Sequence, residues 1–340
     1  MADPAIQRFL LRRLLSLPPA ALRLMAGGGV AYRAGRTLDP RFQYLWKTWG
    51  GRASFESLSP QDARDGWAAL VAAAGPDPAP DVKRESILLD GPGGAIATAL
   101  HIPVDQAADA PILVFLHDGS GIAGGLQESE GVASRLARSA RTVVAVPEYR
   151  LAPEHRFPAA FEDAMAAVRW ARQAGERYGC MADAASVGGL SNGGGLAAAV
   201  CLELRRQNEP QPERQLLVCP LLDVIAEQPS MTSFADAWPL STAALRWSLR
   251  HYLGAETDPS DQRLSPLRAD DLSGLAPAVV VTAGFDPLAD QGEQYARKLM
   301  AAGVETRFRC YDSLPHGFPQ FGGVVPPAAE AWEEIGALLR

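Results

Sequence analysis

One serine lies between two glycines, each two residues away, where a short apolar run passes into an Ala-rich run. The segment Gly189-Leu190-Ser191-Asn192-Gly193 fits the pattern G-x-S-x-G, in which a sharp strand-to-helix turn exposes a serine hydroxyl. Glycine tolerates the unusual backbone angles and close contacts of such a turn. The first free N–H groups of the following helix would face whatever the hydroxyl attacks. The alternative is a glycine-rich connection that carries an incidental serine.

A serine hydroxyl becomes a good nucleophile when a base takes its proton and an acid orients that base. Two histidines, His251 and His316, follow Ser191 in the chain. His316 comes after the last predicted strand, where a loop base is needed, whereas His251 lies in a helical pattern and is interpreted as a surface or lid residue. We therefore predict His316 as the base.

The orienting acid should follow the preceding strand. Asp286 stands there, in Phe285-Asp286-Pro287. Asp290 is the rival, but the residues around it indicate the start of a helix, where an aspartate commonly acts as a cap. The sequence thus predicts a catalytic set of Ser191, Asp286 and His316.

A glycine-rich loop, His117-Asp118-Gly119-Ser120-Gly121, directly follows a predicted strand. Small residues there allow backbone N–H groups to approach a substrate oxygen. We predict an oxyanion hole formed by the N–H groups of Gly119, Ser120 and Asn192. The alternative is an ordinary loop after a strand.

The elements that position these residues alternate between strand and helix, which is typical of a mostly parallel α/β sheet covered on both faces. Predicted helices cover Glu162–Ala174, the residues after Ser191, and Ala328–Leu339. Besides the short strand before Gly189, the predicted strands are Val82–Leu89, Ala95–Ile102, Pro111–Leu116, Thr142–Val146, Gln215–Cys219, Ala278–Thr282 and Glu305–Tyr311.

Two segments depart from this alternation. Residues 1–75 are rich in Leu, Ala and Trp and show no β-alternation, so we predict helices there, followed by a proline-rich linker at 76–80. Residues 222–275 combine prolines and aromatic residues with polar ones and are predicted to be a mainly helical insertion.

The 340 residues are 47% hydrophobic and 21% charged, which is ordinary for a globular enzyme. A net charge of −7 argues against a non-specific nucleic-acid binder. The histidines show no metal-binding spacing, so no metal is expected. Four scattered cysteines indicate reduced thiols and a cytoplasmic protein: Cys180, Cys201, Cys219 and Cys310.

Residues 6–15 form an amphipathic pattern that arginines interrupt, so no signal peptide or spanning helix is expected. We favour a helix that packs its apolar stripe on its own protein, and leave open a helix on a membrane surface. Stable membrane insertion is not expected.

Together with the elbow, several segments resemble the hormone-sensitive-lipase family of bacterial α/β-hydrolase esterases, in the family's order from about residue 80 to the C-terminus. The matching segments are 117–121, 148–160, 286–292 and 316–318. The resemblance implies an α/β-hydrolase fold with a mostly parallel eight-stranded sheet flanked by helices, and a helical cap over an acyl pocket. The implied domains are N-terminal cap helices at 1–75, core at 76–221, cap insertion at 222–275 and core at 276–340. It also implies that Tyr149–Pro158 braces the oxyanion loop.

The sequence departs from the family's usual motifs. Asp118, Ser120 and Gly121 replace two glycines and an aromatic residue, and Leu190 and Asn192 replace the common Asp and Ala of the elbow. Backbone donors survive such changes, whereas the shape and polarity of the pocket would change. For Asp118 we favour hydrogen bonds to neighbouring loop N–H groups over a place in the pocket wall. The predicted pocket residues are Asp118, Gly121, Leu190, Trp238 and Phe318.

The resemblance implies a cofactor-free carboxylesterase that acts on short to medium acyl esters through an acyl-enzyme. An amidase, lactonase or acyltransferase could use the same groups. A non-catalytic small-molecule receptor on this fold is the alternative from another class, but such receptors lack the histidine. The expected partner is a small-molecule ester, and a homodimer could form through the last strand.

Overall fold

The computed structural model describes residues 4–50 and 58–340. Within these ranges the strands are β1 Tyr32–Arg33, β2 Arg36–Thr37, β3 Val82–Gly91, β4 Gly94–Pro103, β5 Ile112–Leu116, β6 Val144–Pro147, β7 Ala185–Leu190, β8 Gln215–Val218, β9 Ala278–Phe285 and β10 Thr306–Pro315. The α-helices are α1 Pro4–Leu15, α2 Pro19–Met25, α3 Pro40–Trp49, α4 Pro60–Ala74, α5 Leu126–Ala140, α6 Ala159–Ala174, α7 Asn192–Arg206, α8 Pro229–Ser233, α9 Thr242–Tyr252, α10 Ala289–Ala301 and α11 Pro326–Ala337.

Eight strands form one sheet in the order β10-β9-β8-β7-β5-β6-β4-β3. The pairs β3–β4 and β4–β6 are antiparallel, and the remaining neighbours are parallel. Every residue of β5, β7, β8 and β9 is buried, as expected of apolar runs covered on both faces. The predicted α/β-hydrolase fold with a mostly parallel eight-stranded sheet is confirmed.

Alternate residues of the central strands supply two core layers. Ile112 and Val114 of β5 pack in the layer that includes α6 and α7. Leu113 and Phe115 pack in the layer that includes α5 and α11, where the Phe115 and Trp332 rings lie 5.9 Å apart. Because parallel strands end at the same edge of a sheet, the loops after β5, β7, β9 and β10 are brought together there.

The N-terminal segment is mostly helical, as predicted, but it also contains the two-stranded hairpin β1–β2. The prediction of no strand there was wrong, because Ala34 and Gly35 both adopt positive φ angles (47° and 79°) and turn the chain tightly. Phe42 of α3 is buried with its ring 5.3 Å from Phe321. The N-terminal helices therefore pack on the body of the protein.

Residues 222–275 are less helical than expected. They contain α8, α9 and one 3₁₀ turn at Pro266–Arg268, and the rest is irregular. Prolines explain this difference: Pro229 and Pro266 each start a short helix, and prolines do not continue a preceding one. The domain boundaries stay a prediction.

No helix in the described ranges combines the length and apolar character needed to cross a bilayer. All four cysteines are free thiols. Strand β10 forms one edge of the sheet, where the predicted homodimer contact would form; that contact stays a prediction.

Candidate active site

Ser191 lies between β7 and α7 in a backbone conformation that few non-glycine residues adopt, with φ 59° and ψ −119°. The surrounding glycines make this turn possible. A Cβ at Gly189 would lie 2.3 Å from the carbonyl carbon of Gly193, and one at Gly193 would lie 2.0 Å from the Leu116 oxygen. No relaxation of a side chain could relieve these backbone contacts, so the pattern G-x-S-x-G is a steric requirement here.

His316 bridges the serine and the aspartate that the sequence singled out. Its Nε2 lies 2.9 Å from Ser191 Oγ, and its Nδ1 lies 2.8 Å from Asp286 Oδ2. Asp286 is completely buried, and its other oxygen accepts a 2.8 Å hydrogen bond from the Leu288 N–H. The carboxylate fixes the imidazole so that Nδ1 carries a proton and Nε2 is free to accept one.

The two rival residues lie elsewhere. Asp290 falls in the first turn of α10, as predicted, but its carboxylate accepts a hydrogen bond from the Ser230 N–H, at the start of α8. His251 lies on α9, with its ring 4.6 Å from that of Trp247. The structure thus brings Ser191, Asp286 and His316 together and leaves both rivals out.

In the described part of the chain, the backbone N–H groups of the predicted oxyanion residues donate to no protein acceptor. Gly119 and Ser120 donate to no acceptor in the described ranges, and Asn192 is the first residue of α7, whose opening N–H groups lack helical partners. Gly119 and Ser120 have φ angles of 110° and 58°. This left-handed geometry turns consecutive N–H groups toward one concave side, which suits an anion.

Tyr149 holds the oxyanion loop from behind. Its hydroxyl donates a 2.8 Å hydrogen bond to the His117 carbonyl, and the two rings stack with centroids 4.1 Å apart. Burial lowers the pKa of His117 to about 4, so its imidazole is neutral and donates from Nδ1 to the Asp118 carbonyl at 2.8 Å. Ala152 N–H donates to Gly121. These contacts are those expected of a brace around Tyr149–Pro158.

A second support comes from the N-terminal segment, and sequence reasoning missed it. Arg64 of α4 donates hydrogen bonds to the carbonyls of Ile122 (2.8 Å) and Ala152 (3.0 Å). It also pairs with Glu154. One guanidinium therefore ties a helix outside the sheet to the oxyanion loop and to its brace.

Asp118 differs from the expectation. Its carboxylate accepts a 3.0 Å hydrogen bond from Gln320 Nε2, and no loop N–H from residues 119–121 donates to it. Asp118 is only 4% exposed and lines the cavity above Ser191. Burial raises the pKa of this carboxyl to about 6, although the hydrogen bond from Gln320 opposes the rise. The hydrogen bond from Gln320 and the place of Asp118 in the cavity lining favour the pocket-wall alternative over the bracing role.

A cavity of about 1310 Å³ opens above Ser191 and His316. Its wall is largely apolar and comes from α1, α3, α4 and α9, so both segments outside the alternating strands contribute. Aromatic side chains are prominent in it: Tyr44, Trp49, Trp67, Trp238 and Trp247. Such a wall suits an apolar group attached to the reacting carbonyl.

Of the five predicted pocket residues, Asp118 and Trp238 line this cavity and three do not. A Cβ at Gly121 would lie 2.8 Å from the Tyr252 ring, so the missing side chain faces the interior. Leu190 is fully buried in the core layer of α5 and α11, because strand side chains alternate between faces. Phe318 is buried in the same core layer, with its ring centroid 5.3 Å from that of Tyr311.

Cys219 lies beside the predicted catalytic set. Its Sγ, a carboxylate oxygen of Asp286 and a ring nitrogen of His316 all lie within 4.8 Å of one another. Burial, reinforced by Asp286, raises the pKa of the Cys219 thiol well above its ordinary value. Metals bind the thiolate, and Asp286 and His316 already hydrogen-bond to each other, so these three residues are poorly suited to a metal site. The absence of a metal stays a prediction.

Known proteins share this sequence and this fold. A family described as the alpha/beta hydrolase fold matches residues 113–320. The carboxylic ester hydrolase LipN of Mycobacterium tuberculosis is 37% identical over 333 residues, which cover 95% of this chain and 88% of LipN. The ethyl acetate hydrolase of Pseudomonas putida is 33% identical over 260 residues, which cover 76% of this chain and 82% of that protein.

Among solved structures, the ester-hydrolase EH1AB1 from the metagenome of Lake Arreo, complexed with a bipyridine phosphonate derivative, is similar with a TM-score of 0.83 and 33% identity. The likeness covers 95% of this chain and 98% of that one. Sequence and fold agree over nearly the whole chain, and the resemblance drawn from the motifs is confirmed. The chain belongs to the α/β-hydrolase family, in its hormone-sensitive-lipase group.

Proposed function

We propose that this protein is a serine carboxylic-ester hydrolase that works through an acyl-enzyme intermediate. The observation that carries the proposal is the position of His316, whose two ring nitrogens lie 2.9 Å from Ser191 Oγ and 2.8 Å from Asp286 Oδ2. That arrangement activates a serine for acyl transfer. The relatives named as ester hydrolases support the same chemistry.

In the proposed first half-reaction, Ser191 Oγ attacks the ester carbonyl carbon while His316 Nε2 takes the hydroxyl proton. The carbonyl oxygen becomes an oxyanion, which accepts hydrogen bonds from the N–H groups of Gly119, Ser120 and Asn192. Collapse of the tetrahedral intermediate breaks the ester C–O bond, and His316 returns the proton to the departing alkoxide. The alcohol leaves, and the acyl group stays on Ser191.

In the second half-reaction, His316 Nε2 removes a proton from a water molecule while the water oxygen attacks the acyl carbon. The same N–H groups stabilise the second oxyanion. Its collapse releases the carboxylic acid and returns the proton to Ser191 Oγ. Asp286 orients the imidazole throughout and stabilises the imidazolium form.

Short to medium acyl esters are the proposed substrates. The apolar cavity wall favours an apolar acyl group, and the name of the Pseudomonas putida relative specifies a short one. The cavity volume of about 1310 Å³ is larger than a short acyl chain requires, so the range of accepted chains has to be measured up to long acyl groups.

The decisive experiment combines covalent labelling with a substrate panel. A fluorophosphonate probe should label the protein once, and peptide mass spectrometry should place the adduct on Ser191; Ser191→Ala should remain unlabelled. p-Nitrophenyl esters from acetyl to hexadecanoyl, with matched anilides and lactones, then define the reaction. An adduct on another residue, or faster cleavage of anilides or lactones than of every ester, would overturn the proposal.

A cytoplasmic location is part of the proposal. Four free thiols support it, since cysteines stay reduced in that compartment. Measuring the enzyme in separated cytoplasmic and secreted fractions of the source cells would test it, and recovery mainly in the secreted fraction would contradict it.

A further inference from the structure

Exposed apolar side chains concentrate in one part of the molecule. Eight of the thirteen large hydrophobic residues that are exposed within the described ranges fall between residues 6 and 32. They are Ile6, Phe9, Leu10, Leu17, Leu24, Met25, Val30 and Tyr32. The other five are scattered over the rest of the chain. Large exposed apolar patches are uncommon on a surface that faces only water.

Helix α1 divides its apolar residues between two faces. Leu15 is buried, and Leu11 and Leu14 line the catalytic cavity. Ile6 and Phe9, three residues apart on the outer face, are 56% and 55% exposed. Packing on its own protein thus accounts for one face only, and the outer face has no protein partner in the described ranges.

The same stretch is strongly basic. Residues 4–38 contain six arginines and no Asp, Glu or Lys, in a chain whose net charge is −7. Four of these arginines pair with acids elsewhere: Arg8 and Arg12 share Asp77, Arg33 pairs with Asp236, and Arg36 pairs with Asp312. Arg13 and Arg23 form no ion pair in the described ranges. Arg13 instead lies 5.4 Å from the ring centre of exposed Phe9.

We propose that this surface, residues 6–32, adsorbs to an anionic lipid bilayer. Leu, Ile, Met and Phe side chains partition into the boundary between headgroups and acyl chains, and arginines pair with lipid phosphates. Neither α1 nor α2 could span the bilayer, at 12 and 7 residues, so the association is peripheral.

Charge complementarity selects this occupant over a second copy of the chain. In a symmetric dimer the same patch faces itself, so Arg13 and Arg23, which pair with no acid in the described ranges, would face a segment (residues 4–38) that contains no carboxylate. An anionic lipid surface supplies negative charge to Arg13 and Arg23. Leu10 belongs both to the exposed patch and to the cavity wall, so adsorption would place the cavity next to the lipid.

Adsorption can be tested without any assay of ester cleavage, so its failure is distinct from failure of the proposed reaction. The full-length protein is sedimented with phosphatidylglycerol vesicles and with phosphatidylcholine vesicles, at low salt and at about 1 M salt. Binding should be strong on phosphatidylglycerol, weak on phosphatidylcholine, and reduced by salt.

One variant tests the electrostatic contribution to binding, and a double variant tests the apolar contribution. Arg13→Glu changes the charge of the surface by two units and should lower the vesicle partition coefficient about fivefold for each unit. The double variant Ile6→Ser, Phe9→Ser should lower the partition coefficient about tenfold or more. The matched control for the charge is Arg177→Glu, because Arg177 is also exposed and lies over an aromatic ring, that of Tyr178. The matched control for the apolar residues is the double variant Leu88→Ser, Val104→Ser, because both side chains are highly exposed. Thermal melting verifies that each variant is folded.

Controls that bind as the wild type, beside patch variants that lose binding, would support the proposal. No binding to phosphatidylglycerol, or equal losses in controls and patch variants, would overturn it. Light scattering in the absence of lipid adds a further outcome. If the wild type is a dimer and the patch variants are monomers, the surface serves self-association and the lipid proposal is overturned.

Discussion

Gln320 Nε2 donates a 3.0 Å hydrogen bond to Asp118 Oδ1 and thereby fixes an acidic group in the wall of the cavity above Ser191. Both side chains are almost fully buried, at 1% and 4% exposure. An aspartate in such a place is costly when ionised, because burial removes its hydration. This pair therefore gives the site a titratable element beside the proposed oxyanion hole.

The first prediction concerns stability. Folding raises the pKa of Asp118 from its ordinary value to about 6, so the folded state holds this proton more tightly. The resulting stabilisation is complete below about pH 4 and is lost as pH rises through 6. Asp118→Asn can still accept from Gln320 and lacks the ionisation. Thermal melting at a series of pH values should show that the free energy of unfolding of the variant exceeds that of the wild type by up to about 3 kcal/mol near neutrality. A pH-independent difference would contradict this.

The second prediction concerns substrate charge. Above pH 6 an ionised Asp118 in the cavity wall repels an acyl group that ends in a carboxylate. Asp118→Asn should raise kcat/KM on such an ester about tenfold, while a matched neutral ester changes less than about threefold. Steady-state kinetics near neutral pH measure both. Equal effects on the two esters would place the Asp118 charge outside the path of the acyl chain.

The third prediction tests the nucleophile. Ser191→Ala should lower kcat by about 10⁴-fold or more, because only binding and the oxyanion hole remain. The hydroxyl contributes little to core packing, so the melting temperature should hardly change. A variant that keeps a tenth of the wild-type kcat would refute the assignment.

The fourth prediction separates two aspartates, one directly after β9 and one in the first turn of α10. Asp286→Asn should cost far more activity than Asp290→Asn, because Asp286 fixes His316 whereas Asp290 accepts from the Ser230 N–H. Asp290→Asn keeps an oxygen that can accept this bond, so it should lower stability by no more than about 1 kcal/mol. Kinetics and melting curves of both variants distinguish the two effects. A larger loss of activity in Asp290→Asn than in Asp286→Asn would contradict the assignment of Asp286.

The fifth prediction tests the brace. Tyr149→Phe removes the hydrogen bond to the His117 carbonyl and leaves a buried acceptor unpaired, at a cost of about 1–3 kcal/mol. If the brace positions the oxyanion loop, kcat should fall about tenfold while KM changes little. Tyr178→Phe, at a half-buried tyrosine whose ring lies beside Trp170, is the control. A loss of stability with unchanged kcat would show a purely structural role.

The parts of the site that the sequence predicts are those whose geometry is local. Ser191 sits in a pattern that sterics dictate, and Asp286 and His316 each follow a strand directly, so strand order alone brings them together. The eight-stranded sheet was predictable for the same reason, because its buried strands are continuous apolar runs.

The missed partners join distant parts of the chain. Arg64 reaches Ile122 across 58 positions, and Gln320 reaches Asp118 across 202. Nothing in a single sequence pairs such residues. The errors at Leu190, Gly121 and Phe318 have another cause: a residue next to a site residue in sequence can point to the opposite side of a strand or turn.

The contacts of Arg64 limit how this protein can be re-engineered. The helix that contributes to the cavity wall also holds, through one guanidinium, the carbonyls of Ile122 and Ala152 that shape the oxyanion loop. Exchanging the N-terminal helices with those of a relative, in order to change substrate range, would therefore also alter the rate of the chemical step. Chimeras that retain an arginine at position 64 and its acceptor Glu154 should keep turnover and selectivity separable, whereas those that lose the arginine should not.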